Sequence, residues 1–119
     1  MRTQTTAQVL RVYIGEQDQY RGGPLYAAIV GRLKELGVAG VTVIHGTEGY
    51  GAHKQLHTVR FENLFQGLPM LVEAVDEPDR IGIAVAALDE MIVEGLVTIQ
   101  DVTAIRYVKD PKAGLAGGG

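Results

Sequence analysis

Apolar residues recur along this chain with two different periods, and the change from one period to the other marks the secondary structure. The segment Val9–Ile14 alternates, with Leu10, Val12 and Ile14 on one side and more polar residues between them. Alternation over about six residues is typical of a half-buried strand. Gly15 follows and ends the predicted strand.

Two other segments carry apolar residues at helical spacing. The first begins after Pro24, which suits a first helical turn, and ends at Gly37. The second opens at Asp76–Pro78, with an acidic cap and a proline in the first turn, and ends at Gly95. The predicted buried stripes are Leu25, Ile29, Leu33 and Leu36 in the first helix and Ile81, Val85, Leu88 and Ile92 in the second.

The remaining apolar runs predict the other strands. Val41–His45 is β-branched and short, and it predicts the second strand. A third strand is expected in two pieces, Thr58–Glu62 and Pro69–Val75, and the last spans Val97–Tyr107 with an irregularity near Gln100. The order is therefore βαββαβ. This order predicts an α+β, ferredoxin-like sandwich, in which two helices cover one face of an antiparallel sheet and a long loop joins strands two and three.

The predicted domain spans residues 9–108, between flexible tails at residues 1–8 and 109–119. The segment EQDQYRGG after Gly15 is expected to be a polar loop. Because both helices lie on one face of this fold, the other face has no cover within the chain. Such a half-apolar surface needs a partner, and self-association supplies one.

Composition narrows the functional classes. The chain has 119 residues, enough for one core, and 46% of them are apolar, which argues against disorder. A net charge of -3 and only 6% aromatic residues argue against binding of nucleic acid. There is no cysteine, no apolar leader and no run long enough for membrane insertion, so we expect a cytoplasmic protein.

The segment GTEGYGAHKQLHT, which begins at Gly46, is where candidate chemistry concentrates. Gly49 and Gly51 follow at short spacing, and glycines so placed let backbone N–H groups turn toward an anion. Lys54 and His57 add positive or donor side chains. The spacing matches no Walker or Rossmann fingerprint, and a flexible hairpin loop with solvated charges is the alternative.

Metal binding and catalysis are weaker hypotheses. His45, His53 and His57 have a spacing that does not define one face, and no cysteine completes a metal site. Serine is also absent, so the usual nucleophiles are missing and we do not expect an enzyme. Glu73 lies within the apolar run MLVEAV, where partial burial calls for an ion-pair partner such as Arg11 or Arg60. The candidate acid–base carboxylates are Glu16, Asp18, Glu48 and Glu73.

Beyond these patterns, GYGAHKQLHT (Gly49–Thr58) resembles the start of the mobile T-loop in the PII-like superfamily of signalling proteins. The chain is more specifically similar to a bacterial and archaeal PII-like family known as a domain of unknown function, DUF190. That likeness lies in RVYIGEQDQYRGGPLY (Arg11–Tyr26), LGVAGVTVIHGTEGYG (Leu36–Gly51), LPMLVEAVD (Leu68–Asp76) and LDEMIVEGLVTIQDV (Leu88–Val102).

The resemblance implies a homotrimer that binds an adenine nucleotide in clefts between subunits. The mobile loop would report occupancy to a partner such as a transporter or a metabolic enzyme. No lysine-bearing glycine loop follows the second helix here, so AMP, ADP or another small anionic metabolite is a better candidate ligand than a triphosphate, and no cofactor is expected. A divalent-metal-binding trimer of the divalent-cation-tolerance type, which shares this fold, is the alternative.

The resemblance also suggests the residues of the site. Arg11 and Tyr13 lie one pleat apart on the sheet face that borders the cleft in this superfamily, although trimer packing with Arg11 in an ion pair is the other interpretation. The complete predicted ligand set is Arg11, Tyr13, Gly46, Glu48, Gly49, Tyr50, Gly51, Lys54, Gln55 and His57.

Overall fold

The structure is a computed structural model that describes residues 1–48 and 67–109. Six strands and two helices lie in these two ranges. In chain order they are β1 (Arg2–Gly15), β2 (Gln19–Tyr20), β3 (Gly23–Pro24), α1 (Leu25–Glu35), β4 (Gly40–His45), β5 (Pro69–Asp76), α2 (Pro78–Leu88) and β6 (Leu96–Tyr107).

The four long strands form one antiparallel sheet in the order β4-β5-β1-β6. β1 lies in the middle, where Arg11 pairs with Glu73 of β5 on one side and with Thr98 of β6 on the other. α1 lies between β1 and β4 in the chain, and α2 connects β5 to β6. This arrangement confirms the predicted ferredoxin-like fold.

The core lies between the sheet and both helices. Leu10, Val12 and Ile14 of β1 are at most 1% exposed, which confirms the alternation expected for this strand. They pack against two helical stripes, so both helices cover the same sheet face. The buried helical residues are Leu25, Ile29 and Leu33 in α1 and Ile81, Ala84 and Leu88 in α2.

α1 ends as the glycine predicts. Gly37 has φ +78, a left-handed conformation that a residue with a β-carbon adopts at a cost. Its N–H donates to the carbonyl of Lys34, and the N–H of Val38 donates to the carbonyl of Leu33. This pair of hydrogen bonds is a Schellman motif, which satisfies carbonyls at the end of the helix.

The start of β1 corrects the sequence prediction. The predicted flexible tail at residues 1–8 is wrong for residues 2–8, because they continue β1 and pair with β6 from Arg2↔Tyr107 to Gln8↔Asp101. Their threonines and glutamines show no apolar alternation, so only the partner strand reveals them as strand residues. β6 itself runs in continuous register, without the irregularity expected near Gln100.

Two further boundaries differ from the prediction. α2 ends at Leu88, and Ile92 lies in a turn whose N–H groups still donate to the Leu88 carbonyl. The predicted polar loop contains the short hairpin β2–β3. Arg21 at φ 50 and Gly22 at φ 83 form its turn, and two consecutive positive φ values define a type I′ turn.

Candidate functional site

The sheet face opposite the helices, here called the outer face, is the first candidate surface. Residues paired across antiparallel strands share a face, so the register defines its members. Both helices cover the other face, and no helix of the described ranges packs here. The outer face consists of Val9, Arg11, Tyr13, Thr42, Ile44, Leu71, Glu73, Val75, Leu96, Thr98 and Gln100.

A charged group occupies the centre of the outer face. The Arg11 Nε donates to the Glu73 carboxylate at 2.9 Å, and the Arg11 Nη1 donates to the Gln100 side-chain oxygen at 3.0 Å. The carboxylate compensates the charge of the guanidinium, so Arg11 is committed to an ion pair. This contact confirms the expectation that Glu73 is partly buried beside Arg11, and it favours the ion-pair interpretation of Arg11 over direct contact with a ligand.

Apolar side chains surround this ion pair. Tyr13, another predicted ligand residue, lies directly opposite Leu71 on one side and Leu96 on the other. Ile44 pairs with Leu71 from the edge strand, and Ile44 and Leu96 are about half exposed. A band of exposed apolar groups with one compensated ion pair suits contact with another protein surface better than contact with water.

The predicted ligand loop leaves the sheet at one corner of this face. Gly46 follows β4, and its N–H donates to the Pro69 carbonyl at 2.7 Å. A β-carbon at Gly46 would lie 2.6 Å from Pro69 Cγ, which is closer than non-bonded carbons approach. Gly46 is therefore needed for the close approach of two strands, a role separate from the predicted contact with an anion.

The other end of the loop returns to the same corner. The carbonyl of Leu68 accepts a hydrogen bond from the Glu16 N–H at 2.7 Å, just before β5 begins. Glu16 Oε2 also lies 2.9 Å from His45 Nε2. Glu16 therefore binds the last residue of β4 and the residue before β5, so one side chain and one N–H hold both strands beside the loop.

The remaining predicted ligand residues divide into two groups. Glu48 is exposed at the limit of the first described range. Gly49, Tyr50, Gly51, Lys54, Gln55 and His57 lie outside the described residues, as does the predicted strand Thr58–Glu62.

For the metal hypothesis, the described residues provide one contact of a histidine with a carboxylate, and no cluster of metal ligands. His45 is engaged with Glu16. His53 and His57 lie outside the described ranges. Within residues 1–48 and 67–109, no group of three or more potential protein ligands lies close enough to hold a metal ion. Among the helices of the same ranges, none has the length and apolar character to cross a membrane.

Sequence reasoning missed two residues at this site. The sequence predicts an irregularity near Gln100, whereas the Gln100 side chain completes the central group on the outer face. The sequence predicts an acid–base group or a loop residue at Glu16, whereas Glu16 pairs with His45 across the sheet end. No local pattern signals either contact, because both depend on strands that are distant in the sequence.

The fold is that of nitrogen regulatory PII-like proteins. The apo form of CPII from Thiomonas intermedia K12 superposes with a TM-score of 0.62 at 13% identity, covering 90% of this chain and 100% of CPII. A structure of CPII bound to ADP, AMP and bicarbonate also gives 0.62 at 14% identity, covering 89% of this chain and 100% of CPII. A putative PII-like signalling protein from Thermus thermophilus gives 0.55 at 15% identity, covering 87% of this chain and 91% of that protein.

Within this class, the chain belongs to the DUF190 family, described as "Uncharacterized ACR, COG1993", which matches residues 7–104. A UPF0166 protein of Aquifex aeolicus (strain VF5) is 33% identical over 100 residues, which cover 82% of this chain and 92% of the relative. A second UPF0166 protein, from Methanocaldococcus jannaschii, is 34% identical over 96 residues, covering 80% of this chain and 88% of the relative.

Proposed function

We propose that this chain is a cytoplasmic, non-enzymatic PII-like regulator, which assembles as a homotrimer and binds an adenine nucleotide in clefts between subunits. AMP and ADP are the proposed ligands. The loop between β4 and β5 contacts the nucleotide and reports its presence to a partner, for which a transporter or a metabolic enzyme is the proposed class.

The uncovered outer face is the observation that carries this proposal. It combines exposed apolar side chains with the compensated pair Arg11–Glu73, and these are features of a surface that another subunit covers. The loop that contains Gly51 and Lys54 starts and ends at a corner of the same face. Subunits that meet over this face would therefore bring the loop of one chain to the edge of the next.

The solved relatives support the ligand class. CPII of Thiomonas intermedia K12 has been solved with ADP, AMP and bicarbonate, and it shares this fold. The structure also supports a ligand contact made by the loop, because Arg11, the predicted cation on the sheet, is engaged by Glu73. Lys54 is then the proposed contact for the phosphate.

The test combines mass with ligand binding. Light scattering after size exclusion should give the mass of a trimer for the purified chain. Isothermal titration with AMP, ADP and ATP, each with and without bicarbonate, should show binding of AMP or ADP. Gly51→Val and Lys54→Ala should each weaken nucleotide binding by about tenfold or more, which corresponds to about 1.4 kcal/mol, with the mass unchanged.

Lys34→Ala is the matched control, because it removes an exposed lysine from the last turn of α1, on the helix side of the sheet. It should bind nucleotide with the affinity of the original chain. If both loop variants bound nucleotide with the affinity of the original chain, the proposed role of the loop would be wrong. Absence of binding for every nucleotide tested would overturn the ligand class.

A further inference from the structure

β1 and β6 continue well beyond the four-stranded sheet. The pairing of β1 with β5 stops at Gln8↔Asp76, whereas its pairing with β6 continues to Arg2↔Tyr107. Beyond the last strand pair, the N-terminal amine donates to the Val108 carbonyl at 2.7 Å, and the Val108 N–H donates to the Met1 carbonyl at 2.9 Å. Residues 1–7 and 102–109 thus form a two-stranded ribbon, here called the arm. At about 3.4 Å per residue, its paired part is roughly 20 Å long.

Beyond its base, where Ala7 is buried, the arm is largely open to solvent in the described chain. Residues 1–6 are all exposed, and Tyr107 is 74% exposed. Ile105 and Val108 are nearly half exposed. A two-stranded ribbon without a covering layer is marginally stable in water. An arm that projects with exposed apolar side chains therefore gains stability when a second surface covers it.

The arm is basic, whereas the rest of the described chain is acidic. The arm carries the side chains of Arg2, Arg106 and Lys109, and it contains no acidic residue. Asp110 and Lys112, which follow it in the sequence, cancel in charge. The described residues outside the arm hold twelve carboxylate side chains and five basic ones. The arm and the rest of the described chain therefore carry net charges of opposite sign.

A groove of about 730 Å³ lies at the opposite end of β1 and β6. The turn after β1, the β2–β3 hairpin and the segment after α2 form its walls. Among the lining residues that lie in ranges 1–48 and 67–109, none has a basic side chain. The carboxylates of these described lining residues belong to Glu16, Asp18 and Glu94, and their apolar side chains include Leu25, Met91 and Val93. Val93 is fully exposed, at 101%.

Arm and groove have complementary charge and shared apolar character, but they lie at opposite ends of the same molecule. Residues 8–15 of β1 separate them, a span of roughly 26 Å at about 3.3 Å per residue, and the arm extends away from the groove. The arm of a molecule is therefore unable to enter its own groove. A contact between unlike surfaces of identical chains is heterologous, and it produces a ring when the rotation between neighbours closes.

We infer that the arm of one copy of this chain docks in the acidic groove of the next copy. Arg2, Arg106 and Lys109 lie against the carboxylates of the groove, while Ile105 and Tyr107 cover the exposed Val93. The inference rests on the homotrimer of the proposed function, to which it adds a specific contact, and it requires no nucleotide.

The experiment measures assembly by sedimentation velocity, without nucleotide, over a range of protein concentrations. Arg106→Glu in the arm and Val93→Arg in the groove should each weaken association at least tenfold, because each places like charges together across the contact. The double variant Arg106→Glu with Glu94→Lys should recover part of the lost affinity. Raising the salt concentration should weaken the association of the original chain, since exposed charges are screened.

Two controls match the size and charge of these changes. Arg32→Glu reverses a charge on α1, and Ile83→Arg adds one to the exposed side of α2, outside arm and groove. Both should assemble as the original chain does. Far-ultraviolet circular dichroism of every variant should match the original, because all the changed side chains are exposed.

Two results would overturn the inference. An oligomer whose association resists both Arg106→Glu and Val93→Arg would show that other surfaces hold the subunits together, and the proposed trimer would survive. If the original chain sedimented as a monomer at all concentrations, both the arm contact and the trimer would be wrong. Titration of ADP into the same samples reports on nucleotide binding separately, so failure of the arm contact is distinguishable from failure of the ligand proposal.

Discussion

Single residues at the corner where the loop leaves the sheet have steric roles that chemistry alone does not suggest. Gly46 is not among the described glycines with a positive φ, yet a β-carbon there would also come within 3.1 Å of the Pro69 carbonyl oxygen. The constraint is therefore the distance between β4 and β5. A glycine counted as part of an anion cradle turns out to be required by strand packing.

Gly46→Ala should destabilise the domain by about 1–3 kcal/mol, because the new methyl group overlaps Pro69 and the strands must move apart. Gly31→Ala is the matched control. Gly31 lies within α1, and a β-carbon there would meet open space, so the change should stabilise by about 0.5–1 kcal/mol through helix propensity. Urea denaturation measures both. Equal stabilities for the two variants would contradict the steric account.

At the scale of elements, each helix is held by a narrow apolar stripe. In α2, Ile81 lies on the side that packs against the core and is fully buried, while Ile83, only two residues away, is 50% exposed. A helical turn of 3.6 residues places these two side chains on different faces. The same residue type thus occurs in two environments on one helix, which allows burial to be tested without a change of chemistry.

Ile81→Ala should cost about 2–5 kcal/mol, from lost burial and the cavity that remains. Ile83→Ala should change stability by less than about 0.5 kcal/mol, because the side chain is half in water already and alanine favours the helix. Chemical denaturation of the two variants under the same conditions gives the comparison. A similar loss for both would mean that another surface covers the exposed side of α2.

At the scale of the whole molecule, the outer face is the large sheet surface that neither helix of the described fold covers. The pair Arg11–Glu73 at its centre is about one third exposed on each side chain, at 31% and 32%. Exposed ion pairs couple by about 0.2–1 kcal/mol, whereas breaking a pair that a partner buries costs about 3–5 kcal/mol. The strength of this pair therefore reports whether a second subunit covers the face.

A double-mutant cycle with Arg11→Met and Glu73→Gln should give a coupling energy above about 2 kcal/mol, because the proposed trimer removes the pair from water. The exposed pair Arg32–Glu35, 3.9 Å apart on α1, is the control and should couple by less than about 0.5 kcal/mol. Thermal or urea denaturation of the assembled protein supplies the four stabilities of each cycle. A coupling energy as small as that of the control pair would show that no second subunit covers the outer face.

The sequence by itself determined the elements and the core. Alternation in Val9–Ile14 and helical spacing from Leu25 to Leu33 are local patterns. They are visible in the sequence because burial of one side of a strand or helix requires apolar residues at the period of that element. Gly37 likewise ends α1 through its own backbone conformation. The order of these elements was enough to predict the fold, and the quoted motifs were enough to predict the family.

Only the tertiary structure decided which residues meet. The start of β1 at Arg2, the group formed by Arg11, Glu73 and Gln100, and the contact between Glu16 and His45 all depend on strand register. Register joins residues far apart in the sequence, and polar side chains at such positions carry no periodic signal. Local burial can therefore be predicted from the chain, whereas the polar contacts that organise the site and the arm required the folded sheet.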